Sequence, residues 1–409
     1  MIGKPCAEPS KTMKSIDEYN KAAELYFRYH PNLGHFERKP FHNMDVTPSI
    51  LIRLGIILQN LYVGPSHKVV DFGAGSCWLS LILNKLRIST YSIDVSASAL
   101  DIGKKLFECD PHANSDIEHH FLLFDGYHID LPDSSIDRII CFDAYHHFPN
   151  TEAILKEFAR ILVPGGIAAF AEPGTAHSQS LQAIYEKNTF GILENDVYID
   201  KVWEKAQQFG FTDLKIMPIG SARDMLIDFQ HYEKYMNGID DMFPHDKNRF
   251  HLQGGQVFFL YKGPFVIDSR SPGRLLSRIS LHHKAPQNIS RGEPVSLILN
   301  ITNISECLWL AHHYPHGGFV QVGAHLEKTI FSSHGLFPKE PVYKLISYDF
   351  LRIPLPHDIE PNDSFTIHPT FILPDEPGNY RITFDLVDEQ VRWFAQDGSQ
   401  ALSIEIMVI

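Results

Sequence analysis
The chain has 409 residues, 44% of them hydrophobic, enough for buried cores in two domains and too many for one of typical size. Its 49 acidic residues outnumber 36 basic ones, and a formal charge of −13 excludes non-specific nucleic-acid binding, which needs clustered Lys and Arg. No apolar run approaches the roughly 18 residues of a membrane span, and five scattered cysteines without paired spacing fit reduced thiols, so a cytoplasmic protein is expected.

Residues 1–14 read as disordered and carry no secretion signal. Ser15 to His30 reads as a helix, with Ile16, Tyr19, Ala22, Ala23 and Tyr26 at spacings of three and four. Thr47-Pro48 predicts a second helix, with Thr47 as N-cap and Pro48 at the first helical position. From Lys68 onward strand and helix alternate, the pattern of a parallel sheet. Strands are expected over 68–72, 89–94, 119–123, 136–142 and 166–171, then over 211–217 and 256–262. Ser96 is the expected N-cap of a helix over 97–109. Two long polar stretches, 173–201 and 220–255, exceed what connections need and are candidates for lids or binding loops. A Pro- and Gly-bearing linker spans 264–273. Beyond it, short alternating runs separated by turns predict an all-β sandwich.

The segment Val69-Val70-Asp71-Phe72-Gly73-Ala74-Gly75-Ser76-Cys77-Trp78 reads as an apolar strand entering a glycine turn and a helix. Thr90-Tyr91-Ser92-Ile93-Asp94 is a second strand ending in an acid. Glycine lets the backbone turn tightly and approach a ligand closely, and such sheets bind ligands at the carboxyl ends of their strands. A dinucleotide fold needs a third glycine where Trp78 stands. Asp71 is also unfavourable beside a pyrophosphate. It suits a cofactor that carries positive charge and an amino group.

These features resemble motif I of the class I S-adenosylmethionine-dependent methyltransferases. The likeness continues in order. Asp94 stands where that family places the acid holding the ribose hydroxyls, and Phe124-Asp125-Gly126 where an acid meets the adenine amino group. Ile136 to Phe148 resembles the fourth strand and its loop. LKEFARILVPGG, ending at Gly166, resembles the helix and turn before strand five. Cys77 departs from the third glycine of many members, which puts the tightness of the turn in question. The resemblance implies a doubly wound, mostly parallel α/β Rossmann-like domain over 65–263, preceded by a helical segment, 1–64, that covers the cofactor site. It implies S-adenosyl-L-methionine as cofactor, bound by Asp71, Phe72, Gly73, Ala74, Gly75, Asp94, Val95, Asp125, Gly126 and Asp143. Residues 274–409 more loosely resemble immunoglobulin-like accessory domains of bacterial polysaccharide pathways.

Methyl transfer requires that the acceptor lose a proton. His146 and His147 follow strand four, where the sheet opens onto the transferring methyl, and an imidazole titrates near neutrality. Glu172 after strand five is an alternative base or a strand-ending turn. The chain has 23 histidines. The clusters His119-His120, His282-His283 and His312-His313…His316 have no Cys or carboxylate at ligand spacing, so no metal is expected. Trp309 and Trp393-Phe394 are expected in a core rather than on a sugar-stacking face. The expected activity is methyl transfer to a hydroxyl, or an amine, of a small-molecule or saccharide-like (glycan) acceptor. The β domain would recognise that acceptor or join a homo-oligomer or pathway partner. The rivals are a cofactor-binding scaffold without turnover and an NAD-dependent oxidoreductase, against which Trp78 and Asp71 speak.

Overall fold
Strand-forming runs of four to twelve residues, the central ones apolar, become a seven-stranded sheet in the computed structural model. It describes residues 14–64, 66–217, 228–239, 249, 252–271, 273–331 and 341–409. The expectation for residues 1–13, and much of that for the second polar stretch, lies outside the described residues. The chain divides into two units, one of residues up to Leu61 with Lys68–Phe265, the other of Tyr62–His67 with Val266–Ile409.

The sheet of the first unit comprises β1 (Lys68–Phe72), β2 (Ser89–Asp94), β3 (His119–Leu123), β4 (Ile136–Phe142), β5 (Leu162–Pro173), β6 (Asp213–Ile216) and β7 (Gly255–Lys262). Their order is β3-β2-β1-β4-β5-β7-β6. The first five run parallel, while β7 is antiparallel to β5 and β6. Central strands covered on both faces read as unbroken apolar runs, and Val69, Val70, Phe72, Ile139, Ile140 and Cys141 are all buried. Strand order reverses between β1 and β4, which opens a crevice at their carboxyl ends. Strand β5 begins earlier than its spacing suggests because Leu162 pairs with Ile136.

Helices α1 (Ile16–Tyr29), α2 (Leu33–Glu37) and α3 (Thr47–Asn60) precede the sheet. They are followed by α4 (Trp78–Lys85), α5 (Ala97–Cys109), α6 (Thr151–Ile161), α7 (Leu181–Phe190), α8 (Ile199–Gln208) and α9 (Phe229–Met236). Ser15 and Glu18 form a capping box on α1. Ser96 caps α5 by accepting from Ala99 N at 3.1 Å. Thr47 is not the cap of α3: it is the first helical residue, and its hydroxyl donates to the Pro40 carbonyl at 2.6 Å. Its side chain bonds backward to the preceding loop, and Val46 takes the cap position. Helix α1 is fixed through Glu24, which accepts from Ser96 Oγ (2.8 Å), Ser98 N (3.0 Å) and Ser98 Oγ (2.6 Å). The first turn of a helix leaves backbone donors without partners, so an acid there is favourable.

The second unit is built of strands: β8 (Ser277–Leu281), β9 (Asn288–Ile289), β10 (Pro294–Ser296), β11 (Leu299–Asn303), β12 (Val320–Phe331), β13 (Pro341–Pro354), β14 (Ser364–Ile367), β15 (Thr370–Ile372), β16 (Gly378–Asp388), β17 (Arg392–Trp393) and β18 (Leu402–Val408). They form sheets of six, three and two strands, the sixth strand of the largest being β17, which pairs with β16. Trp309, Tyr380 and Phe394 are fully buried in its core, and Trp393 is buried as well. No helix among the described residues is long and apolar enough to cross a membrane.

Two helical glycines test the packing. A Cβ on Gly103 of α5 would lie 2.7 Å from the Cys77 Cβ, whereas one on Gly55 of α3 would meet nothing within 4 Å. Gly103→Ala is expected to destabilise the protein by about 1–3 kcal/mol through overpacking. Gly55→Ala should stabilise it by about 0.4–1 kcal/mol. Chemical denaturation of the two variants checks this; equal effects would contradict the packing of α5 on the turn.

Candidate active site
The chain leaves β1 through a turn with Gly73 at φ +70° and Gly75 at φ +52°. Gly73 N and Ala74 N donate to the Ile93 carbonyl at 2.8 and 3.0 Å. A side chain on Gly73 would collide with the methyl of Ala144 in the loop after β4. Cys77, in place of a third glycine, adopts φ +57° and is fully buried. A left-handed conformation costs an L-residue roughly 1–2 kcal/mol, so the turn stays tight at the expense of strain. At the end of β2, Asp94 is buried and accepts from Gly75 N and Ser96 N, each at 2.8 Å. Burial, opposed by these bonds, pushes its pKa up to about 6. A carboxylate has about four acceptor sites, so Asp94 keeps capacity for further donors.

This turn forms one end of a cavity of about 490 Å³, within the range of small-molecule sites. Gly73, Ala74, Gly75, Asp94 and Val95 line it there, and Asn20, Ala23 and Phe27 of α1 close over it. Ala144 lines it beside the turn, and Asp143, His146 and His147 line it beyond, with His177, Glu186 and Glu194 from the first polar stretch. Eight expected residues thus share one cavity: Gly73, Ala74, Gly75, Asp94, Val95, Asp143, His146 and His147.

The remaining expected residues stand behind its walls. Asp71 is buried and accepts from Ser80 N (3.2 Å) and Ser80 Oγ (2.8 Å), tying β1 to α4. Phe72 packs in the core against Phe124, Phe148 and Phe158. Asp125 is exposed and caps its own loop, accepting from Tyr127 N and His128 N at 2.7 and 2.9 Å. Gly126 is buried, so close to Ile16 and Asn20 of α1 that a Cβ would clash. Glu172 has no exposed surface and accepts from Ala144 N (3.0 Å), Tyr145 N (2.9 Å) and the His146 ring at Nδ1 (2.7 Å).

The far end of the cavity is dense in charge. Arg53 forms a two-pronged bond to Asp143 at 2.6 and 2.9 Å, and its guanidinium lies 4.6 Å from the centre of the Phe142 ring. Burial works against the Asp143 charge, but Arg53 outweighs it and holds the carboxyl below its usual range. Burial also opposes charge on His146, yet the bond and charge of Glu172 hold that imidazole above its ordinary value. Burial, aided by His146, lowers His147 to about 4. His147 Nδ1 bonds to the Leu193 carbonyl at 2.7 Å, and His177 Nε2 to Glu194 at 2.6 Å. Sequence reasoning did not single out Arg53, His177, Glu186 or Glu194. Their only signal was the length of the stretch holding the last three.

Residues 70–170 match a family model described as a methyltransferase domain. The chain is similar to methyltransferase GfsG of Streptomyces halstedii, 30% identical over 122 residues, which are 28% of this chain and 41% of that protein. It is similar to the ubiquinone biosynthesis O-methyltransferase of Cupriavidus pinatubonensis, 29% identical over 167 residues, 40% of this chain and 59% of that one. The chain thus spans about half the length of these curated relatives. Among solved structures it resembles phosphoethanolamine N-methyltransferase 2 of Haemonchus contortus in complex with S-adenosyl-L-methionine. That match has 15% identity and a TM-score of 0.40, and covers 62% of this chain and 61% of that one.

The bonds of Asp71 yield a stability test. Asp71→Ala leaves the Ser80 donors without their acceptor in the core and should cost about 1–3 kcal/mol. Asp71→Asn keeps an acceptor and should cost less. Burial pushes Asp71 up to about 7, above the ordinary 3.8, so the folded chain keeps a proton that the unfolded chain releases. Its contribution is fully present below 3.8 and is lost as pH rises towards 7. Urea unfolding at about pH 5 and about pH 8 should show a pH slope in the parent that is reduced in the Asn variant; an unaltered slope would contradict this.

Proposed function
We propose, from the match of residues 70–170 to a methyltransferase-domain model, that this chain moves a methyl group from S-adenosyl-L-methionine to a hydroxyl, or an amine, of a small-molecule or saccharide-like acceptor. The observation that carries this reading is the placement of Asp94 and the Gly73–Gly75 turn in the same cavity as His146 and His147. The cofactor supplies an electrophilic methyl group on a positively charged sulfur. The glycine turn, into which a side chain on Gly73 does not fit, takes the cofactor against bare backbone. Asp94 accepts the ribose hydroxyls with its remaining lone pairs. Val95 adds an apolar wall. Asp71 and Asp125 act from behind, by holding α4 and the 125–128 loop in place.

The acceptor enters at the other end, between α1, the loop after β4 and the first polar stretch. Its proton is lost at the His146–His147 end, and Glu172 is a positioning residue that orients the His146 ring. Fixed geometry in a mostly closed cavity accounts for much of the rate. Residues 274–409 are proposed to form an immunoglobulin-like sandwich that recognises the acceptor or mediates assembly; the shared core around Trp309, Tyr380 and Phe394 supports an independent fold.

Calorimetry with S-adenosylhomocysteine tests the cofactor assignment. Asp94→Ala should weaken binding about tenfold to a hundredfold, the worth of hydrogen bonds to a charged group. Gly73→Val should weaken it through loss of the close approach. Unchanged affinity in both folded variants overturns the reading. Only the ionised carboxylate accepts from two hydroxyls, so affinity should fall as pH drops through about 6. Against the effect of burial, the Ser96 and Ser98 bonds hold Glu24 below its usual range, outside this window; Asp71, pushed up to about 7, titrates within it, so the profile is compared with that of Asp71→Asn. The expected loss is about tenfold between about pH 7 and about pH 5.

A further inference from the structure
His146, His147 and Glu194 come from distant parts of the chain, yet one ring nitrogen of each histidine and one carboxylate oxygen lie within 4.8 Å of one another. His146 Nε2 faces Glu194 Oε2 at 3.6 Å. The His146 ring is held from behind, whereas the His147 ring turns Nδ1 both to the Leu193 carbonyl and, at 3.5 Å, to Glu194 Oε1. His146 Nδ1 bonds to the Glu172 carboxylate and His147 Nδ1 to the Leu193 carbonyl, each at 2.7 Å. Donating Nδ1–H to Glu172 leaves His146 with its lone pair on the Nε2 that faces Glu194, which is how metal-bound histidines are oriented. Glu194 is 4% exposed; His177 bonds to its Oε2 at 2.6 Å, while its Oε1 makes no hydrogen bond and has His147 Nδ1 at 3.5 Å. Leaving a buried carboxylate oxygen unmatched is costly. Glu186 lines the same cavity as Glu194. Two acids brought together in a half-closed cavity favour a cation between or beside them.

We propose that His146, His147 and Glu194 bind a divalent transition-metal ion of the zinc, manganese or iron class, with its open positions towards the cavity for an oxygen of the acceptor. Two imidazoles and one carboxylate suit these ions better than calcium or magnesium, which prefer oxygen ligands alone. Three protein ligands with a free position are typical of a catalytic rather than a structural site. A hydroxyl on such an ion loses its proton to solvent more readily. Its oxygen pair then forms the new C–O bond, while the pair of the breaking C–S bond goes to sulfur. This last role rests on the methyl-transfer reading; the metal site does not.

The test uses the full chain, stripped with a chelator and titrated with Zn²⁺ and with Mn²⁺ by calorimetry. Saturable binding of one ion per chain is expected. Glu194→Gln and His147→Ala should each weaken it by about tenfold or more, and Glu172→Gln by about tenfold to a hundredfold through loss of ring orientation. Circular dichroism and retained S-adenosylhomocysteine affinity show that the variants are folded. No saturable binding overturns the proposal. So does binding unchanged in both folded ligand variants, which would place the ion on other histidines. If S-adenosylhomocysteine binds and the metal does not, only the metal site falls. If the metal binds and S-adenosylhomocysteine does not, only the methyl-transfer reading falls.

Discussion
A fully buried carboxylate must be matched by donors, and the loop after β4 is shaped around that demand. Parallel pairing of Phe142 with Ala171 places Glu172 beside the end of β4. Its oxygens draw in the amides of Ala144 and Tyr145 and the ring of His146. Asp143 N bonds to the Ala171 carbonyl at 2.8 Å, so the same strand end fixes the residue before. With this loop set, Ala144 abuts Gly73, Asp143 turns to Arg53 and His146 faces the cavity. One buried acid therefore couples the glycine turn at one end of the site to the histidines at the other.

Arg87 and Ser134 of this unit have positive φ away from the cavity, and two further strained residues lie beside it. Cys77 and Asp143 both have positive φ, +57° and +49°. Such conformations cost about 1–3 kcal/mol each and persist only where the surroundings determine them. Cys77 is fixed by close packing on Gly103, and Asp143 by the Arg53 fork. Arg is suited to that task because its planar guanidinium matches a carboxylate with two parallel bonds.

The two ends of the cavity offer different chemistry. The end built by β1 and β2 presents bare backbone and one acid, Asp94, a surface that selects by shape and hydroxyl contacts. The other end gathers imidazoles and carboxylates whose charges depend on one another: Glu172 raises His146, while burial and His146 lower His147. Helix α1 spans the site because Glu24 anchors it at the start of α5. Aromatic packing of Tyr26 on Phe36 and Phe190 joins α1 to the polar stretch after β5.

What the sequence determined by itself was local. Buried parallel strands are nearly continuous apolar runs, so β1 and β4 could be read residue by residue, while the mostly polar β2 and the half-exposed β3 were legible only from the alternation of strand and helix. Gly73 and Gly75 announced a turn, and Ser96 a helix start, because these depend on backbone conformation within a few residues. Asp94 could be read for the same reason, as an acid directly after a strand. Tertiary structure decided where side chains point and which distant residues meet. Asp71 sits at the right place in the motif, yet its carboxylate turns to Ser80. Thr47 has the composition of a cap and bonds instead to Pro40. Arg53 finds Asp143, and Glu194 finds His146 and His147, across separations that no periodicity encodes. Those pairings depend on strand register and on how the stretch after β5 folds back, and neither leaves a repeating mark in the residues that depend on it.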